Sequence, residues 1–248
     1  MCGIAGFTGM LEARREIISR MMDRIVHRGP DMSGDYLGDG ITLGFRRLSI
    51  IDLSEAGRQP MTSEDGRYTV IFNGEIYNYR EIKAQLAFRG HTFHSESDTE
   101  VLLHAYMEYG RGMLDHLRGM FSFAVWDDAE HSLFCARDYF GIKPFYYYPM
   151  PDGGLIFGSE IKSFLEHPDF DKRLNPRSLR PYLTFQYSSE DETFFEGVYK
   201  LTPAHWLFWK DGKLETGRYW ETDFVPDRTK SLDEWIELVD GAVCESVS

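Results

Sequence analysis

Met1-Cys2-Gly3-Ile4-Ala5-Gly6-Phe7 sets a thiol one residue from the start of a chain of 248 residues. Removal of Met1 is the expected processing, because the side chain that follows it is small. Cys2 would then carry a free α-amine, whose ordinary pKa is about 7.7 to 8.0, beside its own thiol. One residue can thus supply both nucleophile and base. A cysteine at position 2 taken alone is also simply a small residue opening a strand, so the reading rests on the segments downstream. The remaining cysteines, Cys135 and Cys244, bring the number to three at wide spacing. That pattern is neither a disulfide framework nor a C-x-x-C pair. Cys135, inside Leu133-Phe134-Cys135-Ala136, reads as a small buried hydrophobe, and Cys244 as part of a terminal amphipathic helix.

Outward from the N-terminus, Ile17, Ile18, Met21, Met22 and Ile25 recur at helical spacing, and Arg28-Gly29-Pro30-Asp31 stops the pattern. Tyr68 to Phe72 reads as a short buried strand broken at Asn73-Gly74, followed by a helix marked by Tyr79, Ile82 and Leu86 and closed at Gly90. Ser97-Asp98-Thr99-Glu100 has capping-box spacing ahead of a helix with Leu102, Ala105, Tyr106 and Tyr109 on one face, ended by Gly110. Between Phe121 and Phe157 the pattern turns to short β-prone runs, 121 to 126, 133 to 136, 145 to 148 and 155 to 157, which predict an antiparallel meander. His205 to Trp209 with the turn Lys210-Asp211-Gly212-Lys213 predicts a further hairpin. The mixture of helices and mostly antiparallel strands is that of an α+β unit.

The last segment differs. Ser231 and Glu234 form a second capping box, and Leu232, Trp235, Leu238, Val239 and Ala242 make an apolar stripe that needs a covering surface. Residues 223 to 230 carry Pro226 and several charges and read as a linker.

A formal charge of -13 would repel phosphate backbones and anionic lipid, and the basic residues are scattered, so neither nucleic acid nor membrane is expected as a partner. The absence of any long apolar run or secretory leader in the sequence places the chain, as an expectation, in the cytoplasm. His91 and His94 lack further nearby Cys or His and a catalytic helix motif, so they read as surface histidines and no metal site is predicted.

The opening run, His27-Arg28-Gly29-Pro30-Asp31, Arg47-Leu48-Ser49-Ile50-Ile51-Asp52, Asn73-Gly74-Glu75-Ile76-Tyr77-Asn78, Ser97-Asp98, Gly119 to Ala124 and Ala136 to Pro144 occur in one order. Together they resemble class II glutamine amidotransferases, specifically the glutamine-hydrolysing asparagine synthetases. That resemblance covers most of residues 2 to 220. It implies an N-terminal nucleophile hydrolase fold, a four-layer αββα sandwich with two antiparallel sheets. It also implies that Cys2 attacks the side-chain amide of L-glutamine, that its amine passes the proton to departing ammonia, and that water then cleaves the thioester.

Asn73 and Gly74 would serve the oxyanion, Asn73 with its side-chain NH2 and Gly74 with its backbone N–H. An Asn-Gly pair by itself is a common turn, and the flanking match is what turns the reading. Free glutamine carries a carboxylate and an ammonium, so its pocket needs a guanidinium and one or two carboxylates. Arg47, Glu75 and Asp98 match the family's positions for that clamp, and the resemblance places backbone around Leu48, Ser49, Ile50 and Ile51 along the same ligand. Acids in a first helical turn are commonplace, so Asp98 is kept on resemblance alone. His27 and Arg28 are assigned no chemistry.

Neither a Gly-x-x-x-x-Gly-Lys-Ser/Thr loop nor a Ser-Gly-Gly-x-Asp-Ser segment occurs. The sequence is therefore read as a glutaminase domain, residues 2–222, with residues 223–248 a linker and the first helix of a synthetase domain lying outside this chain. ATP and Mg2+ are expected only in that synthetase domain, and no cofactor in this one. Two alternatives stand beside this reading: an amidotransferase half serving a different carboxylate acceptor, and a non-catalytic amino-acid-binding module of the same fold, whose mark would be loss of Cys2. The sequence leaves assembly open, a homodimer included.

Overall fold

The computed structural model describes residues 2–48, 57–187 and 191–247. In chain order the first strands are β1 (Gly3–Thr8), β2 (Met32–Gly38), β3 (Ile41–Arg47), β4 (Met61–Thr62), β5 (Tyr68–Ile76) and β6 (Gly119–Asp127). After them come β7 (Ser132–Arg137), β8 (Tyr146–Pro149), β9 (Leu155–Gly158), β10 (Tyr199–Lys200), β11 (His205–Lys210) and β12 (Lys213–Arg218). The helices are α1 (Arg14–Arg24), α2 (Tyr79–Phe88), α3 (Asp98–Tyr109), α4 (Pro176–Phe185) and α5 (Leu232–Val247).

The strands form two antiparallel sheets, one ordered β10-β8-β9-β1-β3-β2 and the other β12-β11-β7-β6-β5-β4. Strand alternation explains how they stack, because successive side chains point to opposite faces. On β5, Val70 and Phe72 pack with Ile82, Leu86 and Leu102 of α2 and α3, while Ile71 between them faces the other sheet. On β6 and β7, Phe123, Val125 and Phe134 join the helix side, and Ala124, Trp126, Leu133 and Cys135 join Ile4, Leu43 and Phe157 between the sheets. On β1, Ala5 and Phe7 pack outward against Ile17, Ile18 and Met21 of α1. Three apolar layers therefore separate four layers of secondary structure, in the expected αββα arrangement. Cys135 is fully buried between the sheets, as the sequence predicts.

Four local readings need correction or completion. β5 does not break at Asn73-Gly74 but runs on to Ile76, because Gly74, Glu75 and Ile76 stay paired with Phe121, Met120 and Gly119 of β6. The runs read as one meander divide: β6 and β7 belong to one sheet, β8 and β9 to the other. The capping box at Ser97 is only half made. Ser97 accepts from the Thr99 N–H, but the Glu100 carboxylate takes the N–H groups of His94 and Ser95 instead of that of Ser97. The β2–β3 hairpin and α4, capped by Asn175 and started by Pro176, have no counterpart in the sequence reading.

Other readings hold. α1 gives way to a 3-10 turn over Val26–Arg28, α2 and α3 close at Gly90 and Gly110, and the β11–β12 turn uses Asp211 and Gly212 at φ of 51° and 74°. The box at Ser231 is reciprocal: Ser231 N–H donates to Glu234, and Glu234 N–H donates to the Ser231 hydroxyl. α5 buries none of its residues. No helix among the described residues is long and apolar enough to cross a membrane.

Candidate active site

β1 starts immediately after Cys2 and pairs antiparallel with β3, whose last residue is Arg47. The pairing therefore brings residues 46 positions apart together: the Leu48 N–H donates to Cys2 Sγ at 3.4 Å, and the thiol faces the Leu48 carbonyl at 3.6 Å. Arg28 secures the same residue from behind. Its Nε donates to the Cys2 carbonyl at 2.9 Å, and its Nη1 reaches Glu160 at 3.0 Å. Burial pushes the Cys2 thiol up, opposed by the Leu48 N–H and by the charges of Arg47 and Lys143.

From the second sheet β5 presents Asn73, which is 1% exposed, and its Nδ2 has no hydrogen-bond partner. A buried amide left without an acceptor is unusual and costs stability unless something else uses it. Gly74 beside it is required by packing, since a Cβ there would lie 2.3 Å from the Met120 carbonyl oxygen of β6. Gln59 braces this end of β5, accepting from the Phe72 N–H at 2.6 Å and donating to the Thr99 hydroxyl at 3.0 Å.

Asp98 is the first residue of α3, and its Oδ2 accepts from the Ile76 N–H at 3.0 Å. The carboxyl is pushed up to about 6, first by burial and further by the neighbouring charge of Glu75, against the Ile76 hydrogen bond.

Cys2, Arg47, Leu48, Asn73, Gly74, Glu75 and Asp98 line one cleft of about 600 Å³, part of it open to solvent. Seven of the ten residues expected at the site thus meet in one place, although they come from two sheets and a helix. Ser49, Ile50 and Ile51 lie outside the described residues. Reading the residues alone missed Lys143, Gln59 and Thr99, which line the same cleft, and Arg28, which holds Cys2. Lys143 and Arg28 sat inside segments already singled out, but nothing in their spacing tied them to Cys2. The arrangement offers a nucleophilic thiol, an amide donor without an acceptor, a guanidinium and a carboxylate pair. Together these can hold a zwitterion and attack a carbonyl on it.

His91 and His94 do not enter this cleft. His91 meets His104 at 2.9 Å and Glu108 at 3.1 Å, and His94 meets Glu64. Among the described residues, no group of three or more His, Cys, Asp or Glu is placed to hold a metal ion.

A sequence model of the glutamine amidotransferase domain matches residues 1–220. The chain is 41% identical over 246 residues to asparagine synthetase [glutamine-hydrolyzing] 3 of Bacillus subtilis, covering 96% of this chain and 39% of that protein. It is 39% identical over 254 residues to asparagine synthetase [glutamine-hydrolyzing] 1 of the same organism, covering 100% of this chain and 40% of the relative. Amidase chry2 of Gibberella zeae is 37% identical over 256 residues, with 97% of this chain and 37% of that protein aligned. Among solved structures, the glutamine phosphoribosylpyrophosphate amidotransferase of B. subtilis superposes with a TM-score of 0.68 at 19% identity, over 89% of this chain and 50% of that one. That likeness speaks for the fold.

Proposed function

Since this chain belongs to the glutamine amidotransferase domain family, we propose that it hydrolyses L-glutamine to glutamate and ammonia with Cys2 as an N-terminal nucleophile. The observation that carries the reading is the buried Asn73 amide, which lacks an acceptor in the cleft that holds the thiol. With Met1 removed, the Cys2 amine takes the thiol proton as Sγ bonds to the side-chain carbonyl carbon of glutamine. The carbonyl oxygen becomes an oxyanion, and Asn73 Nδ2 with the Gly74 N–H receives it. Collapse breaks the C–N bond, the amine returns the proton to the leaving nitrogen, and ammonia departs from a thioester. Water, deprotonated by the same amine, then adds to the thioester and releases glutamate and the thiol.

Arg47 pairs with the substrate carboxylate, and Glu75 and Asp98 with its ammonium. Ser49, Ile50 and Ile51 are kept as backbone contacts beside Leu48 on the strength of the family match.

Residues 2–222 form the glutaminase unit in this reading, and 223–248 lead into a synthetase domain. The relatives' names, asparagine synthetase [glutamine-hydrolyzing], support the rest of the proposal: ammonia passes to a synthetase domain that makes asparagine, with aspartate as the acceptor and ATP and Mg2+ expected only there. The similarity to an amidase, chry2, favours a second reading in which a different carboxylate is the acceptor. The cytoplasm suits an enzyme whose three cysteines are free, and a homodimer is the assembly to check by light scattering.

The decisive experiment incubates the Met1-processed chain with amide-labelled glutamine in the absence of ATP. Labelled ammonia should appear, Cys2→Ala should abolish it, and Asn73→Ala should lower kcat by about 10²- to 10³-fold with little change in KM. Hydrolysis that survives Cys2→Ala would refute the nucleophile.

A further inference from the structure

Lys143 stands in the turn between β7 and β8 and is held there by its backbone. Its N–H donates to Asp138 Oδ2 at 2.9 Å, and its carbonyl accepts from Arg137 Nε at 2.6 Å. The side chain is 5% exposed and lines the cleft together with Cys2. Among the described residues, no hydrogen-bond or ion-pair partner meets its ammonium. Asp138, the nearest acid in sequence, is engaged elsewhere, since its two oxygens accept from the N–H groups of Phe121, Phe140, Ile142 and Lys143. The aliphatic stem of Lys143 is thus buried while its ammonium opens into the cleft without a carboxylate to pair with, an arrangement Lys usually avoids.

Lys143 shares the cleft with the thiol. The charged groups acting on it are Cys2, Arg28, Glu75 and Asp138, and those acting on Cys2 are the N-terminal amine, Arg47 and Lys143. Of these three groups, the functional reading assigns the amine to proton transfer and Arg47 to the substrate carboxylate. Lys143 is left with the nucleophile.

We propose that Lys143 is a positioning residue for the reaction: its ammonium holds Cys2 as the thiolate during attack and does not bind glutamine. This rests on Cys2 being the nucleophile. The sulfur becomes negative as its proton leaves, and a cation that lines the same cleft stabilises that charge. No electron or group is transferred to Lys143, which keeps its proton throughout. Burial lowers the lysine and Cys2 raises it, so the thiolate in turn keeps the ammonium charged.

The test measures alkylation of Cys2 by iodoacetamide against pH, mapped by mass spectrometry, on the full chain starting at Cys2. Lys143→Gln and Lys143→Met should each move the midpoint of thiol reactivity up by about one pH unit or more and lower kcat at pH 7 about tenfold, with KM nearly unchanged. Lys143→Arg, which keeps the charge, should stay close to the unmodified chain in both. Thermal melts select the variants that fold, and the two neutral replacements differ in shape, so that loss of one leaves the other to be read. An unchanged midpoint in a folded neutral variant would overturn the proposal. So would a rise in KM at constant kcat, which would make Lys143 a carboxylate ligand. Thiol titration needs no turnover, so the two failures are distinguishable: a chain that never hydrolyses glutamine defeats the functional reading and this role with it, whereas an unchanged midpoint in a chain that does hydrolyse it defeats this role alone.

Discussion

Asp98 joins stability to the proposed function in a single carboxyl. Its ordinary value is 3.8, and the folded protein raises it to about 6, because the group is buried beside Glu75. Between those values the native chain binds more protons than the unfolded one, so this group makes stability fall as pH climbs from about 4 to about 6, and the cost persists above that window. Asn at this position keeps an oxygen for the Ile76 N–H and removes the charge. Asp98→Asn should therefore be more stable than the natural chain by about 1 to 3 kcal/mol at pH 7, with the difference vanishing near pH 4. Urea unfolding at the two pH values measures it, and equal stabilities at pH 7 would show that Asp98 ionises there without cost. In the same variant glutamine binding should weaken, because in the proposed function the substrate ammonium is what makes the ionised form favourable. Burial of Asp98 is invisible in the sequence, where an acid in a first helical turn has an ordinary explanation. Asn73 is similar: its residue type suggests an oxyanion donor, but only the fold shows the amide enclosed without an acceptor.

The turn after β7 is held by a dense set of hydrogen bonds beside the cleft. Asp138 is 1% exposed and accepts four backbone N–H groups, tying Phe121 at the start of β6 to the loop that delivers Lys143. Arg137 adds hydrogen bonds to the carbonyls of Gly141, Lys143 and Leu201. Asp138→Ala leaves four N–H groups to find water or nothing and should cost about 3 kcal/mol or more, against about 0.5 kcal/mol or less for Asp223→Ala on the exposed segment before α5. Chemical denaturation of the two variants makes the comparison, and a loss at Asp138 no greater than at Asp223 would mean that the loop is not held this way. Elements built from contacts close in sequence were readable: the α1 stripe, the α3 stop at Gly110 and the Asp211-Gly212 hairpin all appear where the pattern puts them. β5 was misjudged at Asn73-Gly74 because its extension is dictated by β6, more than forty residues later, which overrides a dipeptide that favours turns.

At the scale of the whole molecule, α5 and the segment before it contrast with the sandwich. Leu232, Trp235, Ile236, Val239 and Val243 are all exposed, and among the described residues none beyond Lys143 lines the cleft. Ending the chain at residue 222 should leave the glutaminase kcat and KM unchanged and should reduce self-association, as read by steady-state kinetics and light scattering. A large loss of kcat on truncation would show that the glutaminase unit extends into residues 223–248. The sequence by itself determined the family and the α+β class, and from it came the proposals of a nucleophile at position 2 and of carriers of substrate charge, since each depends on residue type and on order along the chain. Only the tertiary structure decided that β1 pairs with β3 so that Cys2 meets Leu48, that the runs after Phe121 divide between two sheets, and that Lys143 and Arg28 flank the nucleophile. Those contacts join residues 26 to 141 positions apart, and no local periodicity records such pairings. They form because the apolar faces of two sheets are buried against each other, and that burial sets which strand ends meet at the cleft.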